Sequence, residues 1–234
     1  MNKKVAVITG ASRGIGRAIA LELAKDNYFL ALCSRNKKNL EKLGSELKQI
    51  NDSFILSSFD IREENKVAQF IREIVKKADN INILINNAGI ASVSKIEDTE
   101  VDNWDEIIDT NLKSTFLMVK HCLPNMSDGD QIINIGSNAS KIGFPNWSAY
   151  CASKFGVLGF TNALREEVRG RGIRVSAVLP GPTKTDIWEN LDGNWNKDIM
   201  MNPEIIAKTV LSVINQPDGA NIDEIDIVPT VGKL

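Results

Sequence analysis

Tyr150 and Lys154 stand four residues apart in the segment Ser148-Ala-Tyr-Cys-Ala-Ser-Lys154, and Ser137 closes an apolar run shortly before them. On a helix, positions i and i+4 share a face, so the spacing predicts an ammonium one turn from a phenol whose ordinary pKa is about 10. A positive neighbour favours phenolate, which predicts a Tyr150 that is a stronger acid and base near neutral pH. Ser137 alone reads as a strand-end hydroxyl; opposite Tyr150 it becomes a donor that would polarise a carbonyl oxygen.

A second group opens the chain. Val5-Ala-Val-Ile-Thr-Gly10-Ala-Ser-Arg-Gly14-Ile-Gly16 is an apolar strand running through three glycines into a helical pattern. Glycine permits a tight turn and close approach of backbone to a pyrophosphate, and the helix that follows offers unpaired amides and a favourable dipole. The spacing Gly-x-x-x-Gly-x-Gly is a variant of the dinucleotide fingerprint, although such a run by itself also reads as an ordinary strand-to-helix turn.

The elements that must position these residues are legible in the alternation of β-branched runs with helical periodicity. Strands are expected over residues 3–9, 29–34, 54–59, 81–86, 131–137, 173–179 and 224–228. Such alternation predicts an α/β fold: one domain over residues 1–234 with a doubly wound, Rossmann-type, mostly parallel seven-stranded sheet and helices on both faces. In such sheets ligands sit beyond the carboxyl ends of the strands, where most of the singled-out residues fall. Thr99 ahead of Asp102, and Asn202-Pro203-Glu204, read as helix starts. From Pro180 to Met201 two prolines, two glycines and two tryptophans break any period, so a flexible substrate loop is expected over about 183–202.

Composition removes other classes. Twenty-eight Lys plus Arg against 30 Asp plus Glu leave a net charge of -2, which suggests neither a nucleic-acid footprint nor a polybasic membrane patch. Cys33, Cys122 and Cys151 lack paired spacing and read as reduced packing thiols of a cytoplasmic protein. The apolar stretch after Met1-Asn-Lys-Lys breaks at Thr9-Gly10, short of a signal-peptide core, and no run is long enough to span a bilayer. His121 is the only histidine, so no Ser-His-Asp triad and no imidazole-built metal site is expected; a surface or packing role suits it.

Taken in order, Thr9 to Gly16, Asp60, Asn86-Asn-Ala-Gly89, Asn111, Ser137, Tyr150 with Lys154, and Pro180-Gly181 followed by Thr185 make the chain resemble the short-chain dehydrogenase/reductase family along nearly its whole length. The resemblance implies that Asn111, Ser137, Tyr150 and Lys154 are catalytic. Tyr150 would deliver the proton as hydride arrives at the carbonyl carbon, Lys154 would hold the nicotinamide ribose and lower the phenol pKa, and Asn111 would position a water of a proton relay. It also implies cofactor contacts at Gly10, Ser12, Arg13, Gly14, Ile15 and Gly16. Asp60 would help hold the adenine, and Asn86, Asn87, Ala88 and Gly89 would pack beside the adenosine ribose. Pro180, Gly181, Thr183 and Thr185 would lie at the nicotinamide. Read as plain structure, Asp60 is a turn residue and the Asn-Asn-Ala-Gly run a loop signal.

Charge argues the cofactor. A free ribose 2′-hydroxyl is usually met by an acid after the second strand, whereas here that strand ends Cys33-Ser34-Arg35. Arg35 and Arg13, at positions that are basic in NADP-preferring members of the family, suit a 2′-phosphate, so NADP(H) is expected over NAD(H). The implied activity is carbonyl reduction or the matching alcohol oxidation on a small-molecule substrate by a homodimer or homotetramer. A reductase of 3-oxoacyl groups on acyl carrier protein is the alternative. Asp128-Gly-Asp130 stands where those enzymes place a basic residue, Arg171 matches a second one, and Ile225-Asp-Ile-Val-Pro-Thr230 replaces their Gly-Gly segment. A regulatory protein that binds the dinucleotide without chemistry is the alternative of another class. Phe144, Trp147, Trp188 and Trp195 flank the expected pocket and would suit an apolar or aromatic carbonyl compound, or serve as packing.

Overall fold

The computed structural model describes residues 3–191, 193 and 195–232. Seven parallel strands, β1 (Val5–Thr9), β2 (Phe29–Ser34), β3 (Phe54–Ser58), β4 (Ile83–Asn86), β5 (Gln131–Ile135), β6 (Arg174–Pro180) and β7 (Glu224–Ile227), form one sheet in the order β3-β2-β1-β4-β5-β6-β7. Every pairing is parallel, from Val5 opposite Phe29 at the first to Pro180 opposite Ile227 at the last. All seven expected strands are present. Five are trimmed at one end, β2 matches its expected bounds, and β6 is shifted by one residue to end at Pro180.

The helices are α1 (Gly14–Lys25), α2 (Lys37–Leu47), α3 (Glu64–Ala78), α4 (Val101–Ile108), α5 (Ser114–Cys122), α6 (Ser148–Val168) and α7 (Pro203–Ile214). Because successive strand residues point to opposite faces, β1 divides its side chains between two cores. Ala6 and Ile8 pack with Ile19 and Leu23 of α1, Leu40 and Leu43 of α2, and Ile206 and Val210 of α7. Val5 and Val7 pack on the other side with Phe70 and Ile74 of α3, Leu117 and Met118 of α5, and Leu164 and Val168 of α6. The central strands are apolar on both faces, as a parallel sheet covered on both sides requires.

Chain order reverses between β1 and β4, which opens a crevice above their carboxyl ends. Two expected helix starts take other forms. The N-cap of α4 is Glu100 without a side-chain cap, since the Thr99 hydroxyl donates to Lys95 O instead at 2.8 Å. Asn202 does precede Pro203 in the first turn of α7, but its side chain makes no capping bond. The helix expected around Asn111 is interrupted by a π-helical turn, Asp109–Lys113, between α4 and α5. The substrate loop holds two short 3-10 turns, Asp186–Asn190 and Lys197–Ile199, and Thr183 bridges to Met201 at its base. Of the loop expected over 183–202, Asp192 and Asn194 lie outside the described residues. No helix among the described residues is long and apolar enough to cross a membrane.

Candidate active site

Gly10 turns the chain out of β1 with φ of +63°, and a Cβ there would meet Ala88 Cα at 2.9 Å. That close approach lets β4's outgoing loop be stitched to the glycine loop. Thr9 Oγ1 accepts from Asn87 N at 2.9 Å and Ala88 N at 3.0 Å, and Asn87 Nδ2 donates to Thr9 O at 2.9 Å. Gly16 sits under the same carboxamide and against Gly10 O, so no side chain fits there either. Helix α1 then begins without a side-chain cap and without an acid in its first turn, which leaves its amides and positive dipole end available to an anion.

These residues form one wall of a groove of about 330 Å³ lined by Gly10, Ser12, Arg13, Gly14, Ile15, Ser34 and Arg35. Asn87, Ala88, Gly89, Tyr150, Lys154 and Thr185 line it further along. Gly16 lies behind the wall. Sequence reasoning missed Asn36, Asn39, Phe59, Ile61, Ile90, Thr110 and Ile187, which also line the groove. They come from the segments after β2, β3 and β4, from the first turn of α2, from the π-helical turn and from the substrate loop, and only the fold brings them together.

Both candidate phosphate-binding arginines are held by carboxylates. Arg35 Nη1 lies 3.1 Å from Glu106 Oε1, and Arg13 Nη1 lies 3.7 Å from Asp186 Oδ2. Asp60 is engaged by Arg62, which donates from Nε to Oδ1 at 3.0 Å and from Nη2 to Oδ2 at 2.6 Å. That contact, with burial opposing it, holds the Asp60 carboxyl below its ordinary range. Asp60 does not line the groove, whereas its neighbours Phe59 and Ile61 do. The Asn86 amide is likewise turned into the sheet, where its Nδ2 donates to Asn134 Oδ1 at 2.8 Å; Asn87, not Asn86, faces the groove.

At the far end, α6 carries Tyr150 and Lys154 on one face, with the Lys154 Nζ 5.8 Å from the Tyr150 ring centroid. Ser137 lies beside the phenol; its Oγ donates to Asn138 Oδ1 at 3.1 Å, accepts from Ala139 N at 3.1 Å and caps the 3-10 turn Asn138–Ser140. Lys154 is 5% exposed and donates to Ile135 O at 2.9 Å. Asn111 acts as a strap: its Oδ1 accepts from Ile90 N at 2.8 Å, and its Nδ2 donates to Ile90 O and to Ser153 Oγ, each at 2.9 Å. Ser153 Oγ in turn donates to Tyr150 O at 2.7 Å.

The electrostatics correct one expectation. Burial raises the Tyr150 pKa, the neighbouring Ser137 hydroxyl offsets this in part, and Lys154 is not among the causes that lower it. The side chain is partly exposed and borders both cavities, yet the protein around it still penalises the phenolate by desolvation. The same burial lowers Lys154 to about 8, so the cation that was to stabilise the phenolate is itself disfavoured.

A second cavity of about 220 Å³ meets the groove at Tyr150, Thr185, Ile15, Gly136 and Ile187. Ser137, Phe144, Trp147, Pro180, Gly181, Thr183, Trp188, Leu191 and Trp195 also line it. The Thr183 hydroxyl donates to Gly181 O at 3.0 Å, while Thr185 stands where the two cavities join. The three cysteines are buried free thiols; burial pushes Cys33 up to about 12 and raises Cys122 as well. His121 lies at the surface, 3.3 Å from Glu64 Oε1.

A dinucleotide fits these residues. The glycine cradle offers backbone amides for a diphosphate. The buried ammonium of Lys154, with a single carbonyl partner, retains donors for ribose hydroxyls. The family model for short chain dehydrogenase matches residues 4–195. A 3-oxoacyl-(acyl-carrier-protein) reductase from Staphylococcus aureus is 35% identical over 201 residues, covering 84% of this chain and 81% of its own. An alcohol dehydrogenase from Thermococcus sibiricus, solved with 5-hydroxy-NADP, superposes with a TM-score of 0.91 at 25% identity, covering 99% of both chains. A metagenomic short-chain oxidoreductase solved with NADP gives a TM-score of 0.86 at 30% identity, covering 97% of both.

Proposed function

This chain belongs to the short-chain dehydrogenase/reductase family, and from that premise we propose that it is an NADP(H)-dependent oxidoreductase that reduces a ketone or aldehyde, or oxidises the matching alcohol. The observation that carries the reading is the junction of the two cavities: the Tyr150 phenol borders both, Ser137 lines the second, and Lys154 is buried beside it. When bound, the dihydronicotinamide supplies a hydride to the carbonyl carbon. Ser137 and Tyr150 both donate to the carbonyl oxygen, and the Tyr150 proton passes to it as the C=O bond becomes C–O–H. The resulting phenolate lies within reach of the Lys154 charge. A phenol whose pKa is raised stays protonated at neutral pH, which suits the donor role in reduction; oxidation needs the phenolate and is favoured at higher pH.

Gly10, Ser12, Gly14 and the first turn of α1 would hold the diphosphate, Arg35 and Arg13 the 2′-phosphate, Asn87 to Gly89 and Lys154 the riboses, and Pro180, Gly181, Thr183 and Thr185 the nicotinamide. Two arginines and no acid at the end of β2 support NADP(H), and solved relatives bind NADP. The buried, unpaired thiols support a reducing, cytoplasmic setting. Phe116 of α5 and Phe155 of α6, each nearly half exposed, support assembly of copies through those helices.

Reduction of 3-oxoacyl groups on acyl carrier protein is a second reading, supported by the S. aureus relative. The residues weigh against it. Arg171, the one basic position matched, spends its Nη2 on Leu123 O and Met126 O at 2.9 and 2.8 Å, and Asp130 accepts from Ser127 N and Asn82 Nδ2.

The test is NADPH oxidation by purified protein across a carbonyl panel. Tyr150→Phe should retain NADPH binding and lose turnover by at least about a hundredfold, since it removes the proton donor. Undiminished turnover in that variant would refute the mechanism.

A further inference from the structure

The second cavity differs from the first in kind. Among the described residues that line it there is no charged side chain, and three of the chain's four tryptophans face it. Trp147, Trp188 and Trp195 form a closed triangle with ring centroids 5.0 to 6.1 Å apart, and Trp147 meets Tyr150 edge-on at 5.5 Å. Each of the three stays partly exposed, unlike a packed core residue.

Two of the rings are fixed by polar anchors to backbone carbonyls of residues that also line the cavity. Trp188 Nε1 donates to Thr183 O at 2.7 Å and Trp195 Nε1 to Leu191 O at 3.4 Å. Their polar edges are thereby satisfied within the loop, and the ring surface not used in packing against one another faces the cavity. Rings already held in place lose little freedom when a ligand docks.

We propose that Trp147, Trp188 and Trp195 form a box for a flat, uncharged ring attached to the carbonyl carbon, so that the substrate is an aryl or cyclic ketone carrying no carboxylate beside the C=O. This rests on the oxidoreductase reading and names the substrate class for the same site. With its oxygen between Ser137 and Tyr150, such a ketone has its substituent directed toward Trp147, which abuts Tyr150. A ring there gains burial and edge-to-face contacts beyond area alone. A 2-oxo acid would desolvate its carboxylate in a cavity without a cation, which opposes binding.

The test compares kcat/KM at saturating NADPH for acetophenone, 2-octanone with the same carbon count, and phenylglyoxylate. Acetophenone should exceed 2-octanone by at least about tenfold and phenylglyoxylate by at least about a hundredfold. Trp188→Ala should lower the acetophenone value by about tenfold or more and the 2-octanone value by a smaller factor. NADPH affinity of the variant, and the same comparison in Trp195→Leu, separate this from loss of fold. Equal or better use of 2-octanone or phenylglyoxylate, or an equal loss for both ketones in Trp188→Ala, overturns the ring box and leaves the oxidoreductase reading standing. Absence of turnover with every carbonyl compound would instead overturn that reading, and the inference with it.

Discussion

In the proposed reading cofactor choice turns on Arg35, and in the structure its guanidinium is shared with Glu106, 3.1 Å away on α4. Glu106 also lies 3.5 Å from Arg62, so one carboxylate competes for two cations at the mouth of the groove. A 2′-phosphate reaching Arg35 must displace this carboxylate or tolerate it at close range. Removing the charge should therefore tighten NADPH selectively: Glu106→Gln is expected to lower its Kd by about three- to tenfold and to leave NADH little changed, an effect in the range of exposed ion pairs. Fluorescence titration with both cofactors reads this, and equal shifts for the two would show that Glu106 does not act through the phosphate. Arg35 was legible in the sequence because it ends a strand at a set distance from the glycines. Glu106 was not, because on an amphipathic helix seventy-one residues away it looks like any solvated acid. Tyr150 and Lys154 were legible from spacing alone, yet their electrostatics were not: spacing shows proximity, while burial, which reverses the predicted shift of Tyr150, depends on the whole surround.

Among the elements, the strands were visible because each is a short β-branched run bounded by turn residues, and their ends moved only where the ladder stops. The π-helical turn Asp109–Lys113 left no such mark. Its signature is one buried asparagine in a helix where asparagine is disfavoured, and it was the family resemblance that gave Asn111 a task. The structure shows what the side chain contributes. It joins the loop after β4, through Ile90, to α6 through Ser153, and so fixes the helix that carries Tyr150 and Lys154 against the groove. Close packing supports the same joint, since Gly156 leaves room for Leu112 of the π turn, and a Cβ there would sit 2.7 Å from Leu112 Cδ2. Asn111→Ala leaves the Ile90 amide, the Ile90 carbonyl and the Ser153 hydroxyl without this partner and should cost about 2–3 kcal/mol of stability. It should also lower kcat more than it raises KM, because Tyr150 loses its positioning. Urea unfolding and steady-state kinetics check the two parts; an unchanged midpoint would remove the strap.

Over the whole molecule, the site sets a cost that pH should reveal. Lys154 is buried with a carbonyl as its partner, and its pKa falls from 10.5 to about 8. Below about 8 the lysine is charged in both folded and unfolded chains, so the full burial penalty opposes folding. Between about 8 and 10.5 the unfolded chain keeps the proton and the folded chain does not, so stability rises with pH through this group, by about 3 kcal/mol in all. Cys33 and Cys122 act with the opposite sign. Their thiols are raised above the ordinary value of 9.0, so the unfolded chain loses those protons first and stability falls as pH climbs past it. Tyr28 and Tyr150, both raised from 10.0, add to the loss above that value. Between pH 7 and 9 the unfolded cysteines also begin to lose their protons, so Lys154 is isolated by comparison with Lys154→Met, similar in length and apolar, which removes only the lysine's titration. Urea unfolding at both values should show wild-type stability gaining about 1 kcal/mol relative to the variant as pH rises. At pH 7 the inactive variant should be the more stable protein, because a charge held without a counter-ion has been replaced by a side chain that suits its surroundings. If the two proteins keep a constant difference across the interval, Lys154 titrates like a surface lysine, and the argument that burial tunes this site fails with it.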